Sequence, residues 1–224
     1  SARVGGKNQW EWVFQNDAVA VHVIRPSRGR AVVREGLAGH RPEIWVSDLY
    51  GAQRGHAERW QLCLAHQLRD CRFAIEAGDA VFAPPLKRLI LRAIVIGRRR
   101  AGLSDATLRQ YRQALERRLD AVMASQPTNK HAIRLRRRYG GLREHLFTFI
   151  TERDVPATNN GSERALRPSV IFRKVTNGFR SEWGRDLYAA VRSVIGTGQR
   201  ASLAPFAAIR NALALQPADG IQPL

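Results

Sequence analysis

The sequence predicts an α/β fold in which a mixed sheet is followed by a helical insertion and C-terminal helices. Two observations carry this prediction. Short β-branched and aromatic runs, separated by turn residues, fill the first 48 positions. Beyond Pro84, apolar residues recur at helical spacing, as at Leu108, Tyr111 and Leu115. The 224 residues, 44% of them hydrophobic, suffice for one large domain with a packed core.

The first elements follow a definite order. Strands are predicted at 2–4, 9–14, 18–24 and 43–48, with a short helix at 30–37 before the last of them. Short turns make the first three strands antiparallel, and a right-handed crossover lets the fourth run parallel to one of them. This order is the ribonuclease-H-like layout. In that layout the fourth strand lies beside the first, so acids on both strands can face one pair of metal ions.

The remainder is predicted to be mainly helical. A short strand is expected at 59–64, and helices are expected at 65–77, 86–98, 103–124, 131–153, 184–195 and 205–213. We divide the chain into the N-terminal part of the sheet domain (1–78), a helical insertion (79–153), the rest of the sheet domain with the C-terminal helices (154–215), and a tail (216–224).

The charge of the chain points to a polyanionic partner. Lys and Arg number 37 against 19 Asp and Glu, a formal net charge of +18, so nucleic acid is the expected partner. Cys63 and Cys71 would stand about 12 Å apart along one helix, too far to bridge, which suits a reducing cytoplasm. The apolar run at 89–96 is short and contains Arg92, so no membrane span is expected.

Two carboxylates are candidates for a metal-dependent phosphoryl-transfer site. Asp48 ends the fourth strand, and Glu163 begins a helix among arginines, where a carboxylate can hold a divalent metal against a phosphate backbone. Each has a structural alternative. Asp48 can cap the turn that follows it, and Glu163 can close a capping box whose N-cap is Asn160.

Other residues near these carboxylates are candidates for supporting roles. His66 forms the pattern C-x-x-H with Cys63, but the sequence offers no second nearby pair of zinc ligands. His66 is therefore expected to support the metal ligands without binding the metal itself. Cys63 is interpreted as a packed thiol. Asn159 and Asn160 can orient the glutamate or touch phosphate. Trp183 is either core or a surface on which an unpaired base stacks. Phosphate contacts are expected from five basic residues: Arg164, Arg167, Arg173, Lys174 and Arg180.

Four strings of the sequence resemble the bacterial insertion-sequence-sixty-six family of transposases. They are VSDLYGAQ at 46–53, QLCLAHQLRD at 61–70, TNNGSERALRP at 158–168 and RKVTNGFRS at 173–181. The resemblance implies a DDE transposase catalytic domain with a ribonuclease-H-like fold. It makes Asp48 the second and Glu163 the third catalytic, metal-binding acid, with Mg2+ or Mn2+ as cofactor. It also puts the first acid upstream of Ser1, so the chain is expected to be an incomplete or inactive fragment.

The function expected from this resemblance is DNA end cleavage and strand transfer. The implied partners are transposon-end and target DNA, further copies of the chain and accessory transposition proteins, in the bacterial cytoplasm at the nucleoid. Two alternatives stay open at the level of sequence. One is a catalytically inactive DNA-binding remnant, and the other is a ribonuclease-H-like nuclease.

Overall fold

The protein is described by a computed structural model that covers residues 2–214, so the tail predicted at 216–224 lies outside the described residues. The strands are β1 Ala2–Val4, β2 Lys7–Gln15, β3 Ala20–Arg25, β4 Ile44–Ser47 and β5 Arg59–Leu62. The helices are α1 Arg30–Leu37, α2 Leu64–Glu76, α3 Ala83–Arg99, α4 Asp105–Ala124, α5 Lys130–Gly140, α6 Thr148–Thr151, α7 Asn160–Thr176, α8 Glu182–Arg200 and α9 Pro205–Ala214. The α/β class predicted from the sequence is confirmed.

Two compact units make up the described part of the chain. One combines the residues up to 40 with those from 161 onward, and the other holds residues 41–160. The boundaries predicted at 78/79 and 153/154 both fall inside the second unit. The helices predicted as an insertion therefore pack in one body with β4, β5 and α2.

The first unit is built on an antiparallel three-stranded sheet in the order β1-β2-β3. Alternation along β3 buries Ala20, His22 and Ile24. The outer edge of β3 is covered by α8, because the Ala20 N–H donates to Thr197 Oγ1 at 3.1 Å and the His22 N–H donates to Ser193 Oγ at 2.8 Å. Helix hydroxyls thus satisfy edge groups that would otherwise be open to pairing with another strand.

The fourth strand has a parallel partner within its own unit. β4 pairs in parallel with β5, with Ser47 opposite Leu62, in a separate two-stranded sheet. The free edge of β1 is taken by the segment at Phe179. The Phe179 N–H donates to Arg3 O at 2.7 Å, and the Gly5 N–H donates to Phe179 O at 3.0 Å. The ladders of the described residues contain no pairing of β4 with β1, so the ribonuclease-H-like layout stays a prediction.

The second unit has the largest hydrophobic core of the described residues, formed by α2 to α6 with β5. Helix α3 begins where the buried carboxylate of Asp79 accepts the Phe82 N–H at 3.2 Å and the Ala83 N–H at 2.6 Å. Ser104 caps α4 by accepting the Thr107 N–H, as the sequence predicted. These caps satisfy backbone donors that have no partner inside their own helices.

The single helix predicted at 131–153 is wrong, because the chain breaks it after Gly140. Residues 143–145 form a 3-10 turn, and α6 follows as a separate short helix. The buried side chain of Gln61 holds this break open. Its Nε2 donates to Leu146 O at 3.1 Å, and its Oε1 accepts the Phe149 N–H at 3.0 Å. A side chain 85 positions upstream thus takes backbone groups that a continuous helix would pair internally.

None of the helices in the described part of the chain combines the length and apolar character needed to cross a bilayer.

Candidate functional site

Asp48 lies directly beyond the end of β4 and is half-buried. Its Oδ1 accepts the Tyr50 N–H at 2.9 Å, and the Ser47 hydroxyl donates to the Asp48 carbonyl at 3.1 Å. The turn-capping role considered for Asp48 is therefore present in the structure. The same hydrogen bond holds one carboxylate oxygen in place and so restricts how the whole group points.

Cys63 lies at the same edge of the β4–β5 pair as Asp48. It directly follows β5, and its N–H donates to Ser47 O at 2.9 Å, so it extends the parallel ladder by one bond. α2 begins at the next residue and carries His66 in its first turn. The parallel pairing of two short strands thus brings Asp48, Cys63 and the His66 turn to one edge.

The Cys63 sulfur is an acceptor in this arrangement. Sγ accepts the backbone N–H of Asn159 at 3.3 Å and also forms a hydrogen bond with the His66 side chain. Burial by itself raises the pKa of the Cys63 thiol, but the hydrogen bonds from His66 and the Asn159 N–H outweigh burial, and the net shift is downward. By contrast, burial raises the pKa of the Cys71 thiol, which lies within α2, to about 12. The interpretation of Cys63 as only a packed thiol missed this contact. The available signal was C-x-x-H at a strand-to-helix junction.

The peptide that leads into α7 is anchored at this edge. The Leu64 N–H donates to Ala157 O at 2.9 Å, one bond along from the contact of Asn159 with Cys63. α7 then begins at Asn160, which is its first helical residue. Glu163 follows in the first turn of α7 and is exposed.

An exposed face of α7 carries positive charge beside Glu163. Arg167 and Lys174 follow Glu163 at four and eleven positions, spacings that place these three side chains on one helix face. Arg164 is the residue next to Glu163 and points about 100° round the helix from it. Glu163, Arg164, Arg167 and Lys174 are exposed, whereas Arg173 is half-buried. Arg180 is exposed in the turn after α7.

The predicted site residues are divided between the two units. Asp48, His66, Asn159 and Asn160 belong to the unit of residues 41–160, whereas Glu163 and the five basic residues belong to the other. Within residues 2–214, no group of three or more His, Cys, Asp or Glu side chains is arranged to hold a metal ion.

The comparisons with known proteins identify the class of this chain as a transposase. The family model described as "Transposase IS66 family" matches residues 1–186. This match covers more than half of the 224 residues, and the chain belongs to the IS66 family of transposases. Searches of curated proteins and of solved structures gave no match. The family membership confirms the resemblance drawn from the four sequence strings and indicates a function in transposition.

The hydrogen bond from the Asn159 N–H to Cys63 Sγ, called the Cys63 anchor below, gives a measurable prediction. Cys63→Ala removes the acceptor of a backbone N–H and should cost about 1 kcal/mol of stability, and the Asn159 amide should exchange faster with deuterium. Cys63→Ser keeps an acceptor atom and should restore part of the protection. Cys71→Ala is the matched control, since it truncates another fully buried thiol of the same unit and leaves the Asn159 contact intact. Equal Asn159 exchange in Cys63→Ala and Cys71→Ala would contradict the anchor.

Proposed function

We propose that this chain forms the catalytic region of a DDE transposase with a ribonuclease-H-like fold, which cleaves DNA at the ends of its element and joins the ends to target DNA. Asp48 and Glu163 are two of its catalytic carboxylates. The observation that carries this proposal is the anchoring of residues 157–159 at the edge where Asp48 lies. Within the unit of residues 41–160, the peptide that precedes the Glu163 helix is held at the strand ends where Asp48 lies.

The chemistry of both side chains suits a hard divalent cation. Mg2+ binds through one or two carboxylates together with water and substrate phosphates, so two acids and a DNA strand form an adequate donor set. Asp48 supports this fit because its Oδ1 is oriented by the Tyr50 N–H. We propose Asp48 and Glu163 as ligands of Mg2+ or Mn2+. A bound pair of these ions would lower the pKa of the attacking water or DNA 3′-hydroxyl and stabilise the departing oxygen.

The neighbours of Asp48 have a supporting role in this proposal. His66 forms a hydrogen bond with Cys63, and the Asn159 backbone N–H donates to the same sulfur, so both residues are held at the strand ends. We propose that both side chains orient the carboxylates or the scissile phosphate. Asn160, as the first residue of α7, is proposed to act with them.

DNA binding is assigned to the exposed basic face of α7. Arg167 and Lys174 lie on the exposed face that carries Glu163, so phosphate contacts there would lay the strand along the carboxylate. The exposed Arg164 is next to Glu163 in the chain and is proposed to add a further phosphate contact. Arg180 extends this positive surface into the following turn. For Arg173, which is half-buried, a phosphate contact stays a prediction. Self-association and accessory transposition proteins are further proposals that follow from the family alone.

A cleavage and joining assay tests the function. Labelled element-end DNA is incubated with target DNA in Mg2+, Mn2+ or a chelator. The chain is assayed as residues 1–224 and, in parallel, with an N-terminal extension taken from another member of the family. We expect nicked ends and joined products that both require the metal. Metal-dependent cleavage without any joined product would replace the transposase proposal with a nuclease, and the absence of both products would contradict it.

A further inference from the structure

The turn between α7 and α8 is fixed to the sheet of the first unit. It pairs with β1 through the backbone of Phe179, and it contains Asn177 and Gly178 with positive φ angles of 62° and 117°. A Cβ atom on Gly178 would lie 2.4 Å from Arg3 O, so only glycine allows this approach to the strand. Side chains carried by this turn therefore project from a backbone that is fixed to a sheet edge.

Aromatic packing holds the inner side of the same segment. Phe172, Phe179 and Tyr188 form a cluster with ring-centroid distances of 5.1, 4.8 and 5.2 Å. The Tyr188 hydroxyl donates to Ser169 Oγ at 3.1 Å, which ties α8 to α7. These three rings occupy the apolar interior of the α7–α8 pair.

The side chain of Trp183, unlike these three rings, is exposed to solvent. It lies in the first turn of α8, two residues after the capping Ser181, and is 75% exposed. A tryptophan that is left in water on a rigid segment loses little side-chain freedom when a flat partner covers its ring, and it gains from removal of apolar surface.

The charges beside Trp183 indicate what covers it. Arg180 precedes it by three residues, and Lys174 closes the basic face of α7. The nearby acid Glu182 is engaged with Arg185 at 3.6 Å. An exposed ring with an exposed arginine three residues away in the chain matches a partner that combines negative charge with flat aromatic groups. A DNA strand with unpaired bases has both, whereas paired bases hide their faces inside the duplex.

We propose that Trp183 stacks on an unpaired base of the DNA substrate, while Arg180 and Lys174 hold the adjoining phosphates. This inference rests on the proposed function, since it concerns the DNA that the transposase binds. It assigns Trp183 a preference for DNA with a single-stranded portion, such as a frayed or cleaved end. The preference does not depend on base identity, because every base offers a π-face.

Fluorescence anisotropy with the whole chain tests the assignment. The probes are a blunt duplex, the same duplex with a short single-stranded extension, and that extension with its bases removed. We expect wild type to prefer the extended duplex and to lose the preference when the extension lacks bases. Trp183→Ala should lower affinity for the extended duplex about tenfold and leave the blunt duplex unchanged, and Trp183→Phe should retain most of the affinity. Phe206→Ala, which truncates another ring that is 76% exposed, is the control and should bind like wild type.

Three outcomes would overturn the assignment, and they are distinguishable. If Trp183→Ala binds both duplexes as wild type does, the stacking role is wrong and the proposed function stands. If Trp183→Ala instead lowers the molar mass measured by light scattering and binds DNA normally, the ring contacts another copy of the chain. If wild type binds none of the probes, the proposed function fails together with the stacking role.

Discussion

Asp48→Asn and Glu163→Gln are each expected to lower the rates of cleavage and strand transfer by more than about 100-fold. Changes behind a metal ligand already cost about 10- to 100-fold, and loss of the ligand's own charge should cost more. Both changes preserve shape. An asparagine at 48 can still accept the Tyr50 N–H that orients the side chain, so the turn after β4 should survive. Gel analysis of labelled element-end DNA measures both rates.

Matched control variants distinguish the loss of a catalytic carboxylate from the loss of any one negative charge. Glu182→Gln removes a carboxylate from the first turn of α8, as Glu163→Gln does from the first turn of α7, and Asp105→Asn removes an exposed aspartate from the first turn of α4. Both controls should cleave like wild type. The two test variants should bind DNA at least as well as wild type, because each removes one negative charge. Wild-type cleavage by Asp48→Asn or Glu163→Gln would remove that residue from the proposed site.

Phe149→Ala is expected to lower the free energy of unfolding by about 3–5 kcal/mol, the usual cost of emptying a buried aromatic site. Phe149 is 1% exposed, and its ring packs on Gly97, where a Cβ atom would lie 2.4 Å from Cε2. The backbone of α3 therefore approaches the ring too closely for another side chain to fill the space. Urea unfolding followed by circular dichroism measures the change.

Phe73→Ala is the control for that measurement. It truncates a phenylalanine of the same unit that is 57% exposed, and it should cost no more than about 1 kcal/mol. Gly97→Ala should destabilise the protein, and much of that loss should disappear when Phe149→Leu is added, because the clash requires the full ring. Equal stability losses in Phe149→Ala and Phe73→Ala would show that the core is not packed as described.

Local patterns were enough to predict most elements. α1 was predicted at 30–37 and lies at Arg30–Leu37, where Ala38 and Gly39 end it with positive φ angles. β2, β3 and α4 also fall close to their predicted positions, since period-two alternation, helical spacing and a serine cap are properties of adjacent residues. The wrong helix at 131–153 contains the glycine pair Gly140-Gly141, but apolar residues continue at helical spacing beyond it. In the structure the distant Gln61 side chain binds the backbone of Leu146 and Phe149 after the break, a contact that no local pattern shows.

The candidate site divides in the same way. The sequence by itself determined the family, the basic character of the chain, and the choice of Asp48 and Glu163, because these rest on residue types in short, ordered strings. Only the tertiary structure decided that β4 pairs with β5, that the Phe179 segment takes the edge of β1, and that Cys63 holds the peptide leading to α7. Each of these is a hydrogen bond between residues far apart in the chain. Such bonds depend on which edges and donors the packed elements leave open, and no local pattern records that.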